Sequence, residues 1–294
     1  MPSSLHPYPY IGRFAPSPSG HLHFGSLVAA LGSYLRARSQ QGKWLIRMED
    51  IDPPREVSGA ADNILSTLEN YGFEWDDKVL YQSERYQDYD ECLNHLLSES
   101  KSYFCQCTRK QVREMGGVYD GRCFNYKDKH QGAIRIKNTA AVCEYVDGLQ
   151  GKVIVDSSFA AEDFIIKRSD GLYAYQLAVV LDDVHQGITE VVRGSDLLEA
   201  TCRQLSLYQI LSLPTPQWLH LPLAVTKPGF KLSKQNSATA IDSIHPQQSF
   251  QQALTFLGQP SVDMNGDIKV MMKQAIHQFD LLQLPEQKEI IIPR

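Results

Sequence analysis

Apolar positions along the chain follow two periods. Residues 10–15 read as a short strand, and after a Pro- and Gly-bearing connection Leu27, Leu31, Tyr34 and Leu35 recur at helical spacing. Residues 43–49 form a second strand-like run, closing on the acidic cluster Glu49, Asp50, Asp52 ahead of Pro53 and Pro54. Helical periodicity returns over 61–71, with Ile64, Leu65 and Leu68 on one face, and over 84–98, with Tyr89, Leu93, Leu96 and Leu97 inward. Short β-like runs then alternate with turns at 133–136, 152–156 and 163–167, and Asp170-Gly171 marks a tight turn. A strand over 188–193, a helix over 197–211 capped by Gly194-Ser195-Asp196 and a strand over 219–225 are expected next. Two amphipathic helices, 246–257 and 267–279, close the chain. The β-α-β opening predicts an α/β, Rossmann-like sheet.

Composition changes this picture little. Hydrophobic residues make up 43% and charged residues 21% of 294 positions, ordinary for a globular protein with a full core. No apolar run reaches the roughly eighteen residues a membrane helix needs. The opening Met-Pro-Ser-Ser-Leu-His-Pro lacks a basic segment followed by an apolar one, so a cytoplasmic protein without a membrane partner is expected. A net charge of −5 excludes coating of nucleic acid through bulk positive charge, while leaving room for a local basic groove.

Six cysteines stand at 92, 105, 107, 123, 143 and 202. Cys105, Cys107 and Cys123 offer three thiolates within nineteen residues, among the loop glycines Gly116, Gly117 and Gly121 that let the chain fold around an ion. Tetrahedral zinc takes four ligands, and Tyr119, His130 or a water is left to supply the fourth. The other three cysteines have no partner at useful spacing.

The connection RFAPSPSGHLHFGS, Arg13 to Ser26, ends at a helix N-terminus, where unpaired N–H groups and the dipole favour phosphate. His21 and His23 sit at that point. The stretch resembles the HIGH-motif segment of class I aminoacyl-tRNA synthetases, in the glutamyl branch, with His23-Phe24-Gly25-Ser26 at the HIGH positions. Ser26 stands where the general motif has its second histidine. Lys231-Leu232-Ser233-Lys234-Gln235 is similar to the KMSKS loop of the same class. The resemblance runs from about residue 11 to about residue 245.

It implies a Rossmann-like class I synthetase catalytic domain, with a zinc-bearing insertion and a short helical C-terminal tail. Expected boundaries are 1–101 and 188–244 for the two catalytic halves, 102–187 for the insertion and 245–294 for the tail. By the same resemblance His21, His23, Gly25, Lys231 and Lys234 bind ATP, which arrives with Mg²⁺, and His23 and Lys234 act in catalysis. Arg13, Phe14, Ala15, Pro16, Ser17, Glu49, Tyr175 and Arg193 line a glutamate site, with Glu49 on the ammonium. Tyr119 joins Cys105, Cys107 and Cys123 around one structural Zn²⁺. A guanidinium suits a γ-carboxylate by its fork geometry, and Arg13 and Arg193 both offer one.

Only 59 residues follow Gln235, fewer than the anticodon-binding region of a glutamyl-tRNA synthetase. That truncation with the cysteine segment resembles the branch that attaches glutamate to queuosine in the anticodon of tRNA(Asp). The partners implied are tRNA(Asp) carrying queuosine, glutamate and ATP, with the enzyme a monomer. A minimal synthetase charging the tRNA 3′ end and a non-catalytic RNA-binding paralogue are the alternatives. Retention of Arg13, His23, Glu49, Arg193 and Lys234 together argues against the latter.

Overall fold

The computed structural model describes residues 9–126, 131–231 and 240–292. Strand β1 (Ile11–Phe14) leads into helix α1 (Phe24–Ser39), and the chain returns as β2 (Lys43–Met48), parallel to β1 with Ile11 opposite Lys43. Helix α2 (Ala60–Asn70) crosses to β3 (Leu80–Tyr81), which pairs parallel with the end of β2. After α3 (Tyr86–Ser98) the topology changes to antiparallel. Strand β4 (Ser102–Cys105), helix α4 (Arg109–Glu114) and strand β5 (Ala133–Ile136) come first. The hairpin β6 (Glu144–Asp147) and β7 (Gly151–Ile154), helix α5 (Ser157–Ala161) and strand β8 (Ile165–Lys167), which pairs with β5, complete this part.

Helix α6 (Tyr175–His185) returns the chain to parallel order, followed by β9 (Glu190–Gly194), α7 (Leu198–Ile210) and β10 (Gln217–Leu221). β9 and β10 pair in parallel. Hydrogen bonds between Thr189 and Ile11 join them to the first sheet: the Thr189 N–H donates to the Ile11 carbonyl, and Thr189 Oγ1 accepts the Ile11 N–H, both at 2.9 Å. The strand order is therefore β3-β2-β1-β9-β10. Order reverses between β1 and β9, and the crevice at their carboxyl ends is where such sheets bind ligands. Arg13 and Arg193 lie near those two strand ends.

Beyond this sheet the chain breaks at Pro222, which has no N–H to donate, and resumes as β11 (Leu223–Lys227). The single strand expected over 219–225 is thus two strands in different sheets. β11 forms a hairpin with β12 (Phe230–Lys231). Helices α8 (Gln247–Phe256) and α9 (Ile268–Gln278) follow, and β13 (Glu289–Ile291), which the sequence pattern did not suggest, adds in parallel to β11. Ahead of α7, Gly194 makes no side-chain cap, and a 3₁₀ turn over Ser195–Leu197 starts the helix instead.

Strand alternation distributes side chains between two cores, as it must when a parallel sheet is covered on both faces. Trp44, Ile46 and Met48 of β2 face α1, α8 and α9; Leu45 joins the core of α3, α6 and α7 on the other side. Trp44 anchors the first core. Its ring stacks on Phe14 and Phe73 at 6.2 and 5.4 Å and meets Tyr34 edge-on at 4.9 Å, while its indole N–H donates to Ser33 Oγ at 2.9 Å. Phe250 and Leu254 of α8 and Met271 of α9 are fully buried in this same cluster, so the two last helices share the core of the parallel sheet. Phe250→Ala should cost about 3–5 kcal/mol and lower the melting temperature of the whole fold in one transition. A separate early transition that alone moved would contradict the shared core.

Candidate active site and metal centre

The connection after β1 is fixed by backbone bonds: the Pro16 carbonyl accepts the Glu49 N–H at 2.9 Å, and the Pro18 carbonyl accepts the Val57 N–H at 3.0 Å. This ties it to the end of β2 and to the acidic loop beyond. His23 is the N-cap of α1, its Nδ1 accepting the Ser26 N–H at 3.3 Å, which puts the proton of a neutral ring on Nε2. Gly25 is the second residue of that helix, whose first turn carries no acidic side chain. His21 is exposed and its Nδ1 lies 2.6 Å from Asn63 Oδ1.

Lys234 lies outside the described residues, as does the side chain of Lys231; the backbone of Lys231 ends β12. On the far side of that segment Ala240 forms a β-bridge with His23, and the Ile241 N–H donates to the Leu22 carbonyl at 3.1 Å. The chain at Ala240 and Ile241 is therefore held against the start of α1, beside His23.

Charge in the crevice is arranged around Asp183 of α6. Its Oδ1 accepts from Arg13 Nε at 3.0 Å and from Arg47 Nη1 at 2.8 Å, all three side chains being buried. Burial alone would push this carboxyl up, but the two guanidiniums hold it below the ordinary carboxylate range. Glu49 sits 3.5 Å from Arg47 Nη2. Here burial wins: it pushes the carboxyl up further than Arg47 and Arg13 pull it down. Neither Asp183 nor Arg47 was singled out from the sequence. The available signal was two adjacent aspartates inside an otherwise apolar helical run, 177–184.

Arg193, at the end of β9, has different company. Its Nε donates to His220 Nε2 at 3.1 Å, its Nη2 to Thr201 Oγ1 and Gln204 Oε1 at 2.8 Å each, and its Nη1 to the Tyr175 hydroxyl at 3.3 Å. The guanidinium also lies 4.7 Å from the centre of the Trp218 ring. None of these partners carries negative charge. Four of the five guanidinium N–H groups are committed by the four bonds, leaving one, on Nη1 beside Tyr175. Of the other expected glutamate-site residues, Phe14 turns its ring into the core against Trp44 and leaves only backbone for a ligand. Ser17 is exposed and Ala15 half-buried beside it.

The cysteine segment folds as the spacing suggests. Cys105 ends β4, and α4 starts with a capping box between Thr108 and Gln111. Gly116 and Gly117 reverse the chain with φ of 90° and 88°, and a 3₁₀ turn carries Cys123. The three thiol sulfurs lie within 4.8 Å of one another, and Cys107 and Cys123 are 3.6 Å apart. Zinc–sulfur bonds of about 2.3 Å at a tetrahedral angle place two sulfurs about 3.8 Å apart, so the cluster fits a zinc ion. The Tyr119 hydroxyl is buried alongside, accepting the Cys123 N–H at 2.8 Å, with the Arg135 guanidinium 3.8 Å from its ring centre. His130 lies outside the described residues. Protein purified without chelators should contain zinc by elemental analysis, and Cys107→Ser should lose it. Full zinc content in the serine variant would exclude the thiols as the site.

A family model described as tRNA synthetases class I (E and Q), catalytic domain, matches residues 11–291. A curated protein of Shewanella oneidensis named glutamyl-Q tRNA(Asp) synthetase is 68% identical over 97% of this chain and 95% of its own length. One of the same name from Photobacterium profundum is 52% identical over 97% of this chain and 93% of its own length. Among solved structures, a glutamate tRNA ligase of Elizabethkingia meningosepticum superposes with a TM-score of 0.79 at 23% identity. That match covers 95% of this chain and 66% of the other, so the chain spans just under two thirds of that enzyme. Among the described residues no helix is long and apolar enough to cross a membrane. With the family model matched over 11–291 and relatives of this identity along nearly the whole chain, the chain belongs to the class I tRNA synthetases of the E and Q type and, within them, to the glutamyl-Q tRNA(Asp) synthetase family.

Proposed function

We propose that the chain activates glutamate with ATP and transfers the glutamyl group to queuosine in the anticodon of tRNA(Asp). A glutamate α-carboxylate oxygen attacks the α-phosphate and pyrophosphate leaves; a hydroxyl of the modified base then attacks the acyl carbon and AMP leaves. No residue becomes covalently attached, so positioning and charge stabilisation carry the rate. Arg193 carries the amino-acid half of this reading. It is a buried guanidinium with neutral partners and one uncommitted N–H, beside a tyrosine hydroxyl that accepts from it and can donate its own proton. Arg13 and Arg47 are paired with Asp183, and Arg47 also with Glu49, whereas no carboxylate touches Arg193 directly, so a γ-carboxylate would be its first directly bonded anion.

Glu49 takes the substrate ammonium, and the terminal nitrogens of Arg13, which have no protein partner among the described residues, face the rest of the amino acid. His21, His23 and Gly25 bind ATP at the start of α1, Lys231 and Lys234 stabilise the charge of the leaving pyrophosphate, and Mg²⁺ accompanies the ATP. Tyr119 completes a structural zinc site. The acceptor half of the reading rests on the name shared by relatives at 52–68% identity.

Because Glu49 is raised above the ordinary carboxylate range, acidification removes its charge earlier than from an exposed glutamate. The KM for glutamate in ATP–pyrophosphate exchange should therefore climb as pH falls from neutrality, with the KM for ATP steady. Glu49→Gln should raise it about tenfold or more at neutral pH and flatten that dependence. An unchanged KM in this variant would remove the ammonium role.

The acceptor is tested separately. A tRNA(Asp) carrying queuosine but trimmed of its terminal CCA should still accept glutamate, whereas an unmodified transcript with CCA intact should not. The reverse pattern would return the chain to the synthetases that charge the 3′ end.

A further inference from the structure

Behind Arg193 lies a second layer of side chains. Asp147, at the end of β6, and His220, on β10, are fully buried, and His220 Nδ1 stands 2.6 Å from Asp147 Oδ2. The other carboxylate oxygen is already occupied: Oδ1 accepts the N–H groups of Leu149 at 3.0 Å, Gln150 at 2.9 Å and His220 itself at 3.2 Å. Two more bonds press the hairpin turn onto β10. The Gly148 N–H donates to the Trp218 carbonyl at 2.7 Å, and Gln150 Nε2 donates to the His220 carbonyl at 3.1 Å.

A carboxylate can only accept, so the imidazole nitrogen facing it carries the proton. Nε2 then presents a lone pair. That is the one form compatible with Arg193, whose Nε always donates and points at Nε2. Thr201 Oγ1, 3.3 Å from the same nitrogen, gives its own proton to the Leu197 carbonyl at 2.9 Å, leaving the lone pair to Arg193. Burial, with Arg193 adding to it, holds the imidazole below its ordinary pKa despite Asp147, which keeps the ring neutral. The Trp218 ring, two residues back on the same strand, stacks on His220 within 11° of parallel and also packs against the Arg193 guanidinium.

We propose that Asp147 and His220 form a positioning pair. By fixing the Nδ1–H tautomer of His220 they set the plane of the Arg193 guanidinium, so that its remaining N–H and the Tyr175 hydroxyl converge on the substrate side-chain carboxylate. With the other tautomer, Nε2–H would meet Arg193 Nε–H head-on, and the guanidinium would have to rotate. The pair also links the antiparallel part of the chain, which carries β6, to β9 and β10 of the parallel sheet. This inference rests on the reading of Arg193 as the carboxylate ligand.

Asp147→Asn separates tautomer control from turn structure. Three backbone N–H groups hold Oδ1, so the amide oxygen must take that position and the NH₂ must face His220 Nδ1. A donor there requires an acceptor, and the imidazole proton moves to Nε2. Nitrogen-15 NMR should report protonated Nδ1 at His220 in the unaltered protein and protonated Nε2 in the variant. The KM for glutamate in ATP–pyrophosphate exchange should rise about tenfold or more, with the KM for ATP within about twofold. A His220 protonated on Nε2 in the unaltered protein would overturn the proposal without reference to any variant. If Arg193→Ala raises the KM for glutamate and Asp147→Asn does not, the positioning pair is wrong while the pocket stands. If neither substitution changes it, the pocket assignment fails and the pair with it.

Discussion

One carboxylate, Asp183 of α6, binds two guanidiniums that arrive on neighbouring strands, Arg13 on β1 and Arg47 on β2. Buried guanidiniums are tolerated only when paired, because the charge cannot be given up and leaving water is costly. Asp183 meets that requirement for two of them and locks α6 against the parallel sheet. Arg193, by contrast, is a buried guanidinium whose hydrogen-bond partners are all neutral. Its one uncommitted N–H lies beside the Tyr175 hydroxyl, where a ligand carboxylate would be its first directly bonded anion. Removing Asp183 would leave Arg13 and Arg47 also in search of an anion, and the selectivity of the crevice would lose its basis.

The antiparallel part of the chain is joined to this charge system at several points. One is the β6–β7 turn clamped on β10. Another is Glu162, which accepts the Tyr119 N–H at 3.0 Å beside the thiol cluster and also pairs with Arg203 of α7. Helix α7 carries Thr201 and Gln204, the partners of Arg193 Nη2. The thiol cluster and the surroundings of Arg193 are thus supported by one helix, and a metal ion that ordered the first would stiffen the second.

Legibility in the sequence followed how local each determinant was. Helices α1, α2, α3, α8 and α9 and strands β1, β2 and β5 were readable because period and turn residues lie within a few positions of each other. The thiol cluster was readable for the same reason, with Cys105 and Cys107 two apart and Cys123 soon after. Pairings between distant positions were not. Asp183 and Arg13 are 170 residues apart, and Asp147 and His220 are 73 apart, so only the finished topology brings them together. Arg13 was expected as a second guanidinium beside Arg193, and the buried partner of its Nε, Asp183, was not visible in the sequence. Pro222 was passed over as one residue in an apolar run, although its missing N–H is what separates β10 from β11.

The central claim is that a buried Arg193 whose direct partners are all neutral selects a negatively charged side chain. The most direct measurement compares kcat/KM for glutamate and glutamine in ATP–pyrophosphate exchange catalysed by the unaltered protein. The two amino acids differ little in size, so charge and hydrogen-bond direction decide between them. The account predicts a preference for glutamate of about a hundredfold or more, while comparable activation of glutamine would contradict it.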